Sequence, residues 1–354
     1  MIVLGSTGSI GVNTLKIAER FSLSVEVLVA GNNVELLNKQ IEKFSPKFVV
    51  VGSKEKVSLV NHEKVFWGEE GIFEVLEKSE SSLVVNALVG FFGLKPTLKA
   101  IELGKRVALA NKESLVVGGA FMETENIVPI DSEHFGLWYL LQDKKIKRMV
   151  ITASGGAFRD APLEKLKDMT PKEALCHPNW SMGKKITIDS ATMTNKLFEL
   201  LEARWLFGEG EYEAIIETKS IIHALIDFID GSTTAHIAHA DMKLPISFAV
   251  FGEVNEEIVK SVDLTEIGSL EFRKIDKKRY PIWEIKEDLL KNPAKGVVVN
   301  AANEVAVEKF LNGEISFTRI SEIVLNAYDK FSDIKPRSIS EIYEIDKEVR
   351  RFCE

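Results

Sequence analysis

Three carboxylates are the residues of this sequence best suited to chemistry. Asp131 and Glu133 are two positions apart, so in an extended segment both side chains would point to one face. Glu199 follows Asn195 by four positions and Lys196 by three, which puts the three side chains on one face of a helix. Mg²⁺ and Mn²⁺ prefer oxygen ligands. The pattern predicts a divalent-cation site, against two simpler alternatives: an exposed acidic turn, and a surface helix with a Lys/Glu pair.

The segment that carries Glu199 is unusually polar at its start. Residues 189–207 combine Asp, Ser, Thr and Asn with an apolar stripe at helical spacing, which predicts one amphipathic helix. Ser190 or Thr192 could cap its first turn. A plain surface helix accounts for the Lys/Glu pair but not for this concentration of polar residues.

A glycine-rich turn follows the first apolar run of the chain. Gly5, Gly8 and Gly11 lie three residues apart between a predicted strand and a predicted helix. Small residues in that position let backbone amides approach a pyrophosphate, although similar turns also occur in proteins that bind no nucleotide. The second strand ends in Gly31-Asn32-Asn33, without the acidic residue that selects NAD, so we expect NADP.

Two further polar segments could contact a ligand. Ser154-Gly155-Gly156 offers a hydroxyl and backbone amides to a phosphate. Residues 177–183 combine His177, Trp180 and a terminal Gly183, a mixture that suits a lid over a ligand. A buried tryptophan beside an incidental histidine is an equally simple interpretation of the second segment.

The elements that must position these residues begin with an alternation of strands and helices. Valine-rich runs at residues 2–4, 25–30, 48–51, 83–87 and 107–110 predict buried parallel strands, and residues 14–21, 34–44 and 95–103 have helical spacing. This βαβ alternation predicts a doubly wound, Rossmann-like sheet. We expect an NADPH-binding domain at residues 1–126.

The pattern changes beyond residue 126. Strands are predicted at residues 149–152, 186–188, 222–228 and 233–238, with a hairpin turn at Asp230-Gly231. Residues 127–254 are therefore expected to form a central α/β domain that carries the catalytic and metal-binding residues, and the charged residues 255–282 a connector. Helical spacing at 302–310, 320–327 and 339–352 predicts a C-terminal helical domain at 283–354.

Composition limits the classes of function. The formal net charge of -8 argues against nucleic acid as a partner, and no apolar run approaches the length of a membrane helix. Two distant cysteines, Cys176 and Cys353, cannot make a disulfide framework, which fits a reducing compartment. The first strand begins at Ile2, which leaves no room for a signal peptide, so we expect a cytoplasmic protein.

Together these segments resemble the 1-deoxy-D-xylulose 5-phosphate reductoisomerase family nearly from end to end. The resemblance also includes Ala110-Asn111-Lys112-Glu113-Ser114, residues 185–193, and Asn300-Ala301-Ala302-Asn303-Glu304. It implies an NADPH- and divalent-cation-dependent enzyme that isomerises and reduces 1-deoxy-D-xylulose 5-phosphate to 2-C-methyl-D-erythritol 4-phosphate, in the non-mevalonate route to isoprenoids. It also implies a homodimer.

The resemblance assigns roles to individual residues. Asp131, Glu133 and Glu199 would hold Mg²⁺ or Mn²⁺, with Lys112 as a further catalytic residue. The residues expected to contact NADPH are Thr7, Gly8, Ser9, Ile10, Gly31, Asn32, Asn33, Asn111, Glu113 and Gly183. The residues expected to contact the sugar phosphate are Lys112, Ser132, Glu133, Ser154, His177, Trp180, Ser190, Asn195, Lys196 and Glu199.

The sequence departs from the family pattern at Asn32, where a lysine, serine or arginine is frequent. Two other functions are weighed against the resemblance. Another NADP oxidoreductase, such as a semialdehyde dehydrogenase, would need a cysteine nucleophile, and Cys176 has no recognisable nucleophile setting. A dinucleotide-sensing binding protein would not need three carboxylates around a cation.

Overall fold

The computed structural model describes residues 1–354, which divide into two compact units. Unit 1 comprises residues 1–114, 122–131 and 241–259. Unit 2 comprises residues 115–121, 132–240 and 260–354. No helix is long and apolar enough to cross a membrane.

A parallel sheet of seven strands forms the centre of unit 1, in the order β4-β3-β2-β1-β5-β6-β7. The strands are β1 (Ile2–Leu4), β2 (Val27–Ala30), β3 (Phe48–Val51), β4 (Val65–Trp67), β5 (Leu83–Asn86), β6 (Arg106–Leu109) and β7 (Ile127–Pro129). The order reverses beside β1, which pairs with β2 on one side and β5 on the other. The predicted doubly wound sheet is confirmed, and such a reversal is where ligands bind in sheets of this type.

Helices follow the strands of this sheet as the alternation predicts. They are α1 (Ser9–Arg20), α2 (Val34–Phe44), α3 (Gly68–Lys78), α4 (Leu94–Glu102) and α5 (Lys112–Gly118). Helix α1 buries Leu15, Ile17 and Ala18, and it begins at Ser9, five residues before the apolar spacing becomes visible. The helix therefore starts directly at the glycine turn.

Two elements of unit 1 come from parts of the chain that the sequence analysis gave to the second domain. Strand β7 pairs with β6, although it lies beyond residue 126. Residues 243–251 form a helix whose Ile246 and Ala249 pack in one cluster with Val85 and Ala108. Their partners lie far away in the chain, and a segment that returns to an earlier sheet leaves no local sign in the sequence.

Unit 2 contains a mixed sheet of five strands in the order β11-β10-β8-β9-β12. They are β8 (Ile146–Ala153), β9 (Tyr212–Glu217), β10 (Ile222–Phe228), β11 (Thr233–Ile237) and β12 (Phe272–Arg273). Strands β8 and β9 are parallel and the other pairs are antiparallel. The predicted hairpin turn is present, since Gly231 has φ +88° and donates to the Phe228 carbonyl at 3.1 Å.

The helices of the remaining chain are α6 (Ser132–Leu140), α7 (Pro171–Ala174), α8 (Lys184–Thr192), α9 (Thr194–Phe207), α10 (Lys243–Phe251), α11 (Leu264–Ile267), α12 (Lys286–Lys291), α13 (Gly296–Leu311), α14 (Phe317–Lys330) and α15 (Ile339–Cys353). The helical C-terminal region is confirmed. The expected connector at residues 255–282 contains α11 and also β12, which pairs with β9.

Two predictions of local structure were wrong. Residues 186–188 were expected to be a strand, but they lie within α8, because Ile188 and Ala191 are buried together with Ala306 and Phe310 of α13. The alternation of isoleucine and threonine is typical of a strand, but the packing of these residues against α13 favours a helix.

The single helix expected at residues 189–207 is two helices. Met193 has φ +73°, which ends α8 and starts α9. Met193 is the N-cap residue of α9 and provides no side-chain cap, while the Thr192 hydroxyl accepts from the Thr194 amide at 3.4 Å and lies 2.9 Å from the Thr194 hydroxyl. The break thus separates the polar end of α8 from the helix that carries Asn195, Lys196 and Glu199.

Candidate active site

The glycine turn of unit 1 leaves a helix N-terminus open. The Gly5 and Ser6 amides donate to the Val29 carbonyl at 2.9 and 2.8 Å, which fixes the turn against β2. Residue Gly8 precedes α1, and no side chain caps the helix there. The first amides of a helix lack intrahelical acceptors, so they can donate to an anion. Gly8 and Ser9 are exposed and Thr7 and Ile10 are half-buried, a fit to the pyrophosphate of a dinucleotide.

The carboxyl end of β2 continues this surface. Gly31, Asn32 and Asn33 are all exposed, and a Cβ atom at Gly31 would meet nothing within 4 Å. The Asn33 side chain accepts from the Leu36 amide at 3.1 Å and thereby caps α2. The Asn32 side chain accepts a hydrogen bond from Lys56. Lys56 is a cation beside this strand end that the sequence analysis missed, because it lies 24 residues away on another connection.

Asn111 holds the loops after β5 and β6 together. Its amide nitrogen donates to the carbonyls of Leu88 and Gly90, both at 2.9 Å, and to the Glu113 carboxylate at 3.1 Å. Only 1% of Asn111 is exposed. The structure therefore gives Asn111 and Glu113 a clear part in shaping this edge of the sheet. The neighbouring Lys112 ammonium lies 3.3 Å from the Asp131 carboxylate.

The two glutamates of the predicted cation site lie together in unit 2. Glu133 is in the first turn of α6, so the extended segment expected around it was wrong. Glu199 is 1% exposed on α9, and the carboxylate oxygens of the two glutamates lie within 4.8 Å of one another. Asp131 is two residues before Glu133 in the chain and pairs with Lys112, as described above.

A lysine compensates these two carboxylates. The Lys196 ammonium lies 2.7 Å from Glu133 and 2.5 Å from Glu199. The second oxygen of each glutamate also has a donor: the Ser132 hydroxyl at 2.6 Å from Glu133, and the Asn195 amide at 2.5 Å from Glu199. The shared helix face of Asn195, Lys196 and Glu199 is thus present in the structure.

The set of donors fits a hard divalent cation. Buried carboxylates require a compensating positive charge, and oxygen ligands are those that Mg²⁺ and Mn²⁺ prefer. The backbone behind Glu199 is fixed, because the fully buried His134 donates its Nε2 hydrogen to the Glu199 carbonyl at 2.8 Å. Such support of a ligand residue by a neighbour is usual at metal sites.

His177 and Ser154 form a second cluster in unit 2. The His177 Nδ1 atom accepts from the amides of Asn179 at 3.2 Å and Trp180 at 2.9 Å. A neutral imidazole with that acceptor carries its hydrogen on Nε2, which therefore donates to the Ser154 hydroxyl oxygen at 2.8 Å. Burial, followed by the charges of Lys196 and Arg159, lowers the pKa of His177 to about 4, so the ring is neutral near pH 7.

The Ser154 hydroxyl accepts two hydrogen bonds, so its own proton is available for donation to a ligand. Its oxygen accepts from His177 and from the Gly156 amide at 3.1 Å. Gly155 and Gly156 have φ of +86° and +71°, and a Cβ atom at Gly156 would collide with the Ser190 carbonyl and the Ala191 backbone. The glycine loop thus packs directly on the end of α8, which brings Ser190 to the same cluster. Hydroxyls and amides in this arrangement suit a phosphate.

Hydrogen bonds and a ring contact fix the middle of the segment at residues 177–183. Asn179 donates to the Thr218 carbonyl at 3.0 Å and the Ser220 hydroxyl at 2.8 Å. The half-buried Trp180 ring lies edge-on to His223 at 6.1 Å. Gly183 precedes α8 with open space around it.

Asn303 is a second residue whose position the sequence did not predict. It is fully buried on α13 and donates to the Asp189 carboxylate at 2.7 Å, while Lys185 lies 2.8 Å from the other oxygen of Asp189. The contact ties α13 to the polar end of α8. The sequence segment 300–304 stood out for its asparagines, but nothing local showed what they contact.

The sequence patterns of known protein families match the chain along most of its length. The sequence pattern of 1-deoxy-D-xylulose 5-phosphate reductoisomerase matches residues 1–119, that of its C-terminal domain matches residues 127–207, and that of the DXP reductoisomerase C-terminal domain matches residues 237–352.

Relatives in other organisms are similar over whole chains. The 1-deoxy-D-xylulose 5-phosphate reductoisomerase of Nautilia profundicola is 59% identical over 362 residues, covering 100% of this chain and 99% of the relative. That of Wolinella succinogenes is 54% identical over 356 residues, covering 100% and 99%.

Solved structures of similar enzymes match this chain over nearly its whole length. DOX-P reductoisomerase in complex with NADPH, fosmidomycin and magnesium has a TM-score of 0.93 at 33% identity, covering 99% of this chain and 96% of that chain. The enzyme from Zymomonas mobilis in complex with NADPH has a TM-score of 0.89 at 34% identity, covering 99% and 97%. The chain belongs to the 1-deoxy-D-xylulose 5-phosphate reductoisomerase family.

Proposed function

We infer that the chain converts 1-deoxy-D-xylulose 5-phosphate to 2-C-methyl-D-erythritol 4-phosphate with NADPH and a divalent cation. Membership of the family supports this function, as do the structures of similar enzymes with NADPH, magnesium and fosmidomycin. Within this chain, the observation that carries it is the pair of glutamates bridged by Lys196, since two largely buried carboxylates at one place suit a cation. The reaction rearranges the carbon skeleton of a keto sugar phosphate and then reduces the resulting aldehyde.

We assign the cation, Mg²⁺ or Mn²⁺, to Asp131, Glu133 and Glu199. When bound, it would polarise the carbonyl and an adjacent hydroxyl of the substrate, while NADPH would supply the hydride. The Lys112 ammonium, 3.3 Å from Asp131, can stabilise negative charge that develops on a substrate oxygen. Ser132 lies between two of the ligands in sequence and is assigned to the substrate.

Lys196 has two tasks in this proposal. Its ammonium compensates the charges of Glu133 and Glu199. Two positive charges repel one another at such short range, so a cation held by the two glutamates would displace the Lys196 ammonium. It then becomes available for the substrate phosphate, and its charge already acts on His177 of the Ser154 cluster.

The Ser154 cluster is proposed to bind the phosphate. Ser154 can donate its hydroxyl proton because His177 and the Gly156 amide supply the hydrogens that its oxygen accepts. Ser190 and Asn195 complete the set, with Lys196 as the cation. Because His177 is a donor held in one tautomer, we assign it the task of orienting Ser154 as well as contacting substrate.

The proposed NADPH site follows the open edge of the unit 1 sheet. Its residues are Thr7, Gly8, Ser9, Ile10, Gly31, Asn32, Asn33, Asn111 and Glu113, together with Gly183 of the proposed lid. Trp180 is proposed to cover the substrate, which would keep water from reactive intermediates. We retain the four sequence-based regions, 1–126, 127–254, 255–282 and 283–354, as a proposal for functional domains.

We propose that Mn²⁺ serves as well as Mg²⁺, that the chain forms a homodimer, and that it acts in the cytoplasm. Both cysteines are free thiols, which is compatible with a reducing compartment. Sedimentation equilibrium of the purified chain tests the dimer directly.

Turnover can be tested by mixing the purified chain with 1-deoxy-D-xylulose 5-phosphate, NADPH and Mn²⁺ and following the absorbance of reduced cofactor. We expect NADPH oxidation that stops when a chelator removes the cation and resumes when Mn²⁺ or Mg²⁺ is restored. The proposed function would be contradicted by a rate of NADPH oxidation that is the same with and without the cation. It would also be contradicted by the lack of any oxidation when substrate and cation are both present.

A further inference from the structure

The connections after β2 and β3 are joined at their first residues. The Gly52 amide donates to the Gly31 carbonyl at 3.1 Å, and a Cβ atom at Gly52 would lie only 2.8 Å from that oxygen. This close approach of two backbones sets the start of the short 3-10 helix Lys54–Leu59 beside the end of β2. As a result, the ammonium of Lys56 reaches the side chain of Asn32 and donates to its Oδ1 atom.

The other charges around this strand end are engaged elsewhere. Lys54 lies over the Trp67 ring at 5.6 Å, and Glu35 pairs with Lys39 at 2.8 Å. Hydrogen bonding, chiefly to Ser53, lowers the pKa of Glu55 and keeps it charged. Lys56 is therefore the cation that contacts the residues after β2, and no carboxylate contacts the Asn32 side chain.

We propose that Lys56 is the residue that selects NADPH over NADH, by pairing with the 2′-phosphate of the adenosine ribose. The end of the second strand is where sheets of this type hold that ribose. Asn32 cannot supply a positive charge, and the side-chain oxygen of Asn33 is occupied as the cap of α2. Lys56 replaces the missing charge from the neighbouring connection, with its ammonium already held at Asn32. A charge-assisted hydrogen bond to a phosphate is stronger than one from a neutral donor.

The inference goes beyond the proposed function, whose cofactor contacts do not include Lys56, and it rests on the proposed NADPH site. It concerns discrimination between the two cofactors. Because the two cofactors differ only in the 2′-phosphate, we expect the contacts of the rest of the dinucleotide to be the same for both.

The test measures the dissociation constants of NADPH and NADH by calorimetry, without substrate. In Lys56→Met we expect the NADPH constant to rise by about tenfold or more, as for the loss of one hydrogen bond to a charged group. The NADH constant should stay within about twofold, because NADH lacks the phosphate. Lys56→Arg keeps the charge and should retain the preference. Lys54→Met removes a neighbouring positive charge and should leave both constants unchanged.

The possible failures can be told apart. If Lys56→Met retains the wild-type preference for NADPH, the inference is overturned and the proposed function is untouched. If Lys54→Met loses as much preference as Lys56→Met, general surface charge explains the effect and the specific role of Lys56 is overturned. If the wild-type chain binds neither cofactor, the proposed NADPH site fails, and the inference fails with it.

Discussion

At the scale of single residues, the site depends on which charge compensates Glu133 and Glu199. Both carboxylates are largely withdrawn from water, and Lys196 lies against each of them. Loss of one carboxylate therefore changes both the ligand set and the charge balance. The carboxylate spacing predicted a cation site, but the bridging lysine could not be predicted, because Glu133 and Lys196 are 63 residues apart.

Glu133→Gln and Glu199→Gln should each lower kcat at saturating Mn²⁺ by about a hundredfold or more, the scale of losing one group that stabilises developing charge. The amide keeps the shape of the side chain but removes an anionic ligand. Circular dichroism should show an unchanged fold. Glu209→Gln, in an exposed pair with Arg204, is the control and should retain activity. Near-normal turnover in either glutamate variant would refute the ligand assignment.

Lys196→Met should bind Mn²⁺ more tightly than the wild type in the absence of substrate, while its KM for the sugar phosphate rises. The ammonium that competes with Mn²⁺ for the two carboxylates is gone in this variant. We therefore expect the Mn²⁺ dissociation constant to fall by about fivefold, which is the lower end of typical coupling between two binding sites. Calorimetry at pH 8 measures it. Lys286→Met removes an equally buried lysine from its contact with Glu213 and serves as the control. Unchanged or weaker Mn²⁺ binding in Lys196→Met would show that the lysine does not occupy the cation position.

At the scale of elements, local pattern and tertiary packing disagree in a few informative places. Strands β1, β2, β3, β5 and β6 of unit 1 are recognisable because they are largely buried, apolar and mostly rich in valine. Strands β4 and β7 are less buried and were not predicted. Residues 186–188 show the opposite case: their alternation suggests a strand, but burial against α13 holds them in α8. The break at Met193 also has no local sign, since a methionine at φ +73° is not a usual helix end.

The segment at residues 177–183 should affect catalysis more than cofactor binding. Trp180→Ala removes the ring that is proposed to cover the substrate, so we expect kcat/KM for the sugar phosphate to fall by about tenfold or more while the NADPH dissociation constant stays within about twofold. Trp180→Phe keeps an aromatic ring and should recover much of the loss. An equal loss of NADPH affinity would show that Trp180 itself belongs to the cofactor site and would contradict its proposed role over the substrate.

Strand β11 should make the fold sensitive to acid through His236. This residue is buried against the Phe135 and Tyr139 rings, and burial, with a smaller effect of His223, lowers its pKa from 6.5 to about 4. A lowered histidine pKa means that the folded state binds fewer protons. The stability contributed by neutral His236 is therefore complete above pH 6.5 and is lost as pH falls from 6.5 toward 4.

The corresponding loss is about 2 kcal/mol between pH 8 and pH 5, from the two pKa values. His236→Phe removes the titrating ring, so its free energy of unfolding in urea should fall less over that interval than that of the wild type. His239→Phe makes the same chemical change just beyond β11 and should behave like the wild type. An equal acid loss in His236→Phe would assign the sensitivity to other groups.

At the scale of the whole molecule, the glycine turn belongs to unit 1, and Glu133 and Glu199 belong to unit 2. The sequence predicted the doubly wound sheet of unit 1 and the helical C-terminal region, because each has its own local pattern of strands or helices. It did not predict that β7 and α10 belong to unit 1, since their pairing and packing partners lie far away in the chain. The family resemblance and the comparisons agree on one reaction.

The most direct test of that reaction uses NADPH deuterated at the reactive carbon of its nicotinamide ring. The chain is incubated with this cofactor, Mn²⁺ and 1-deoxy-D-xylulose 5-phosphate, and the product is examined by nuclear magnetic resonance. We predict a branched product, 2-C-methyl-D-erythritol 4-phosphate, with deuterium on a primary alcohol carbon, and no product when a chelator removes the cation. An unbranched product with deuterium on the former ketone carbon would contradict the account, because it would show reduction without rearrangement.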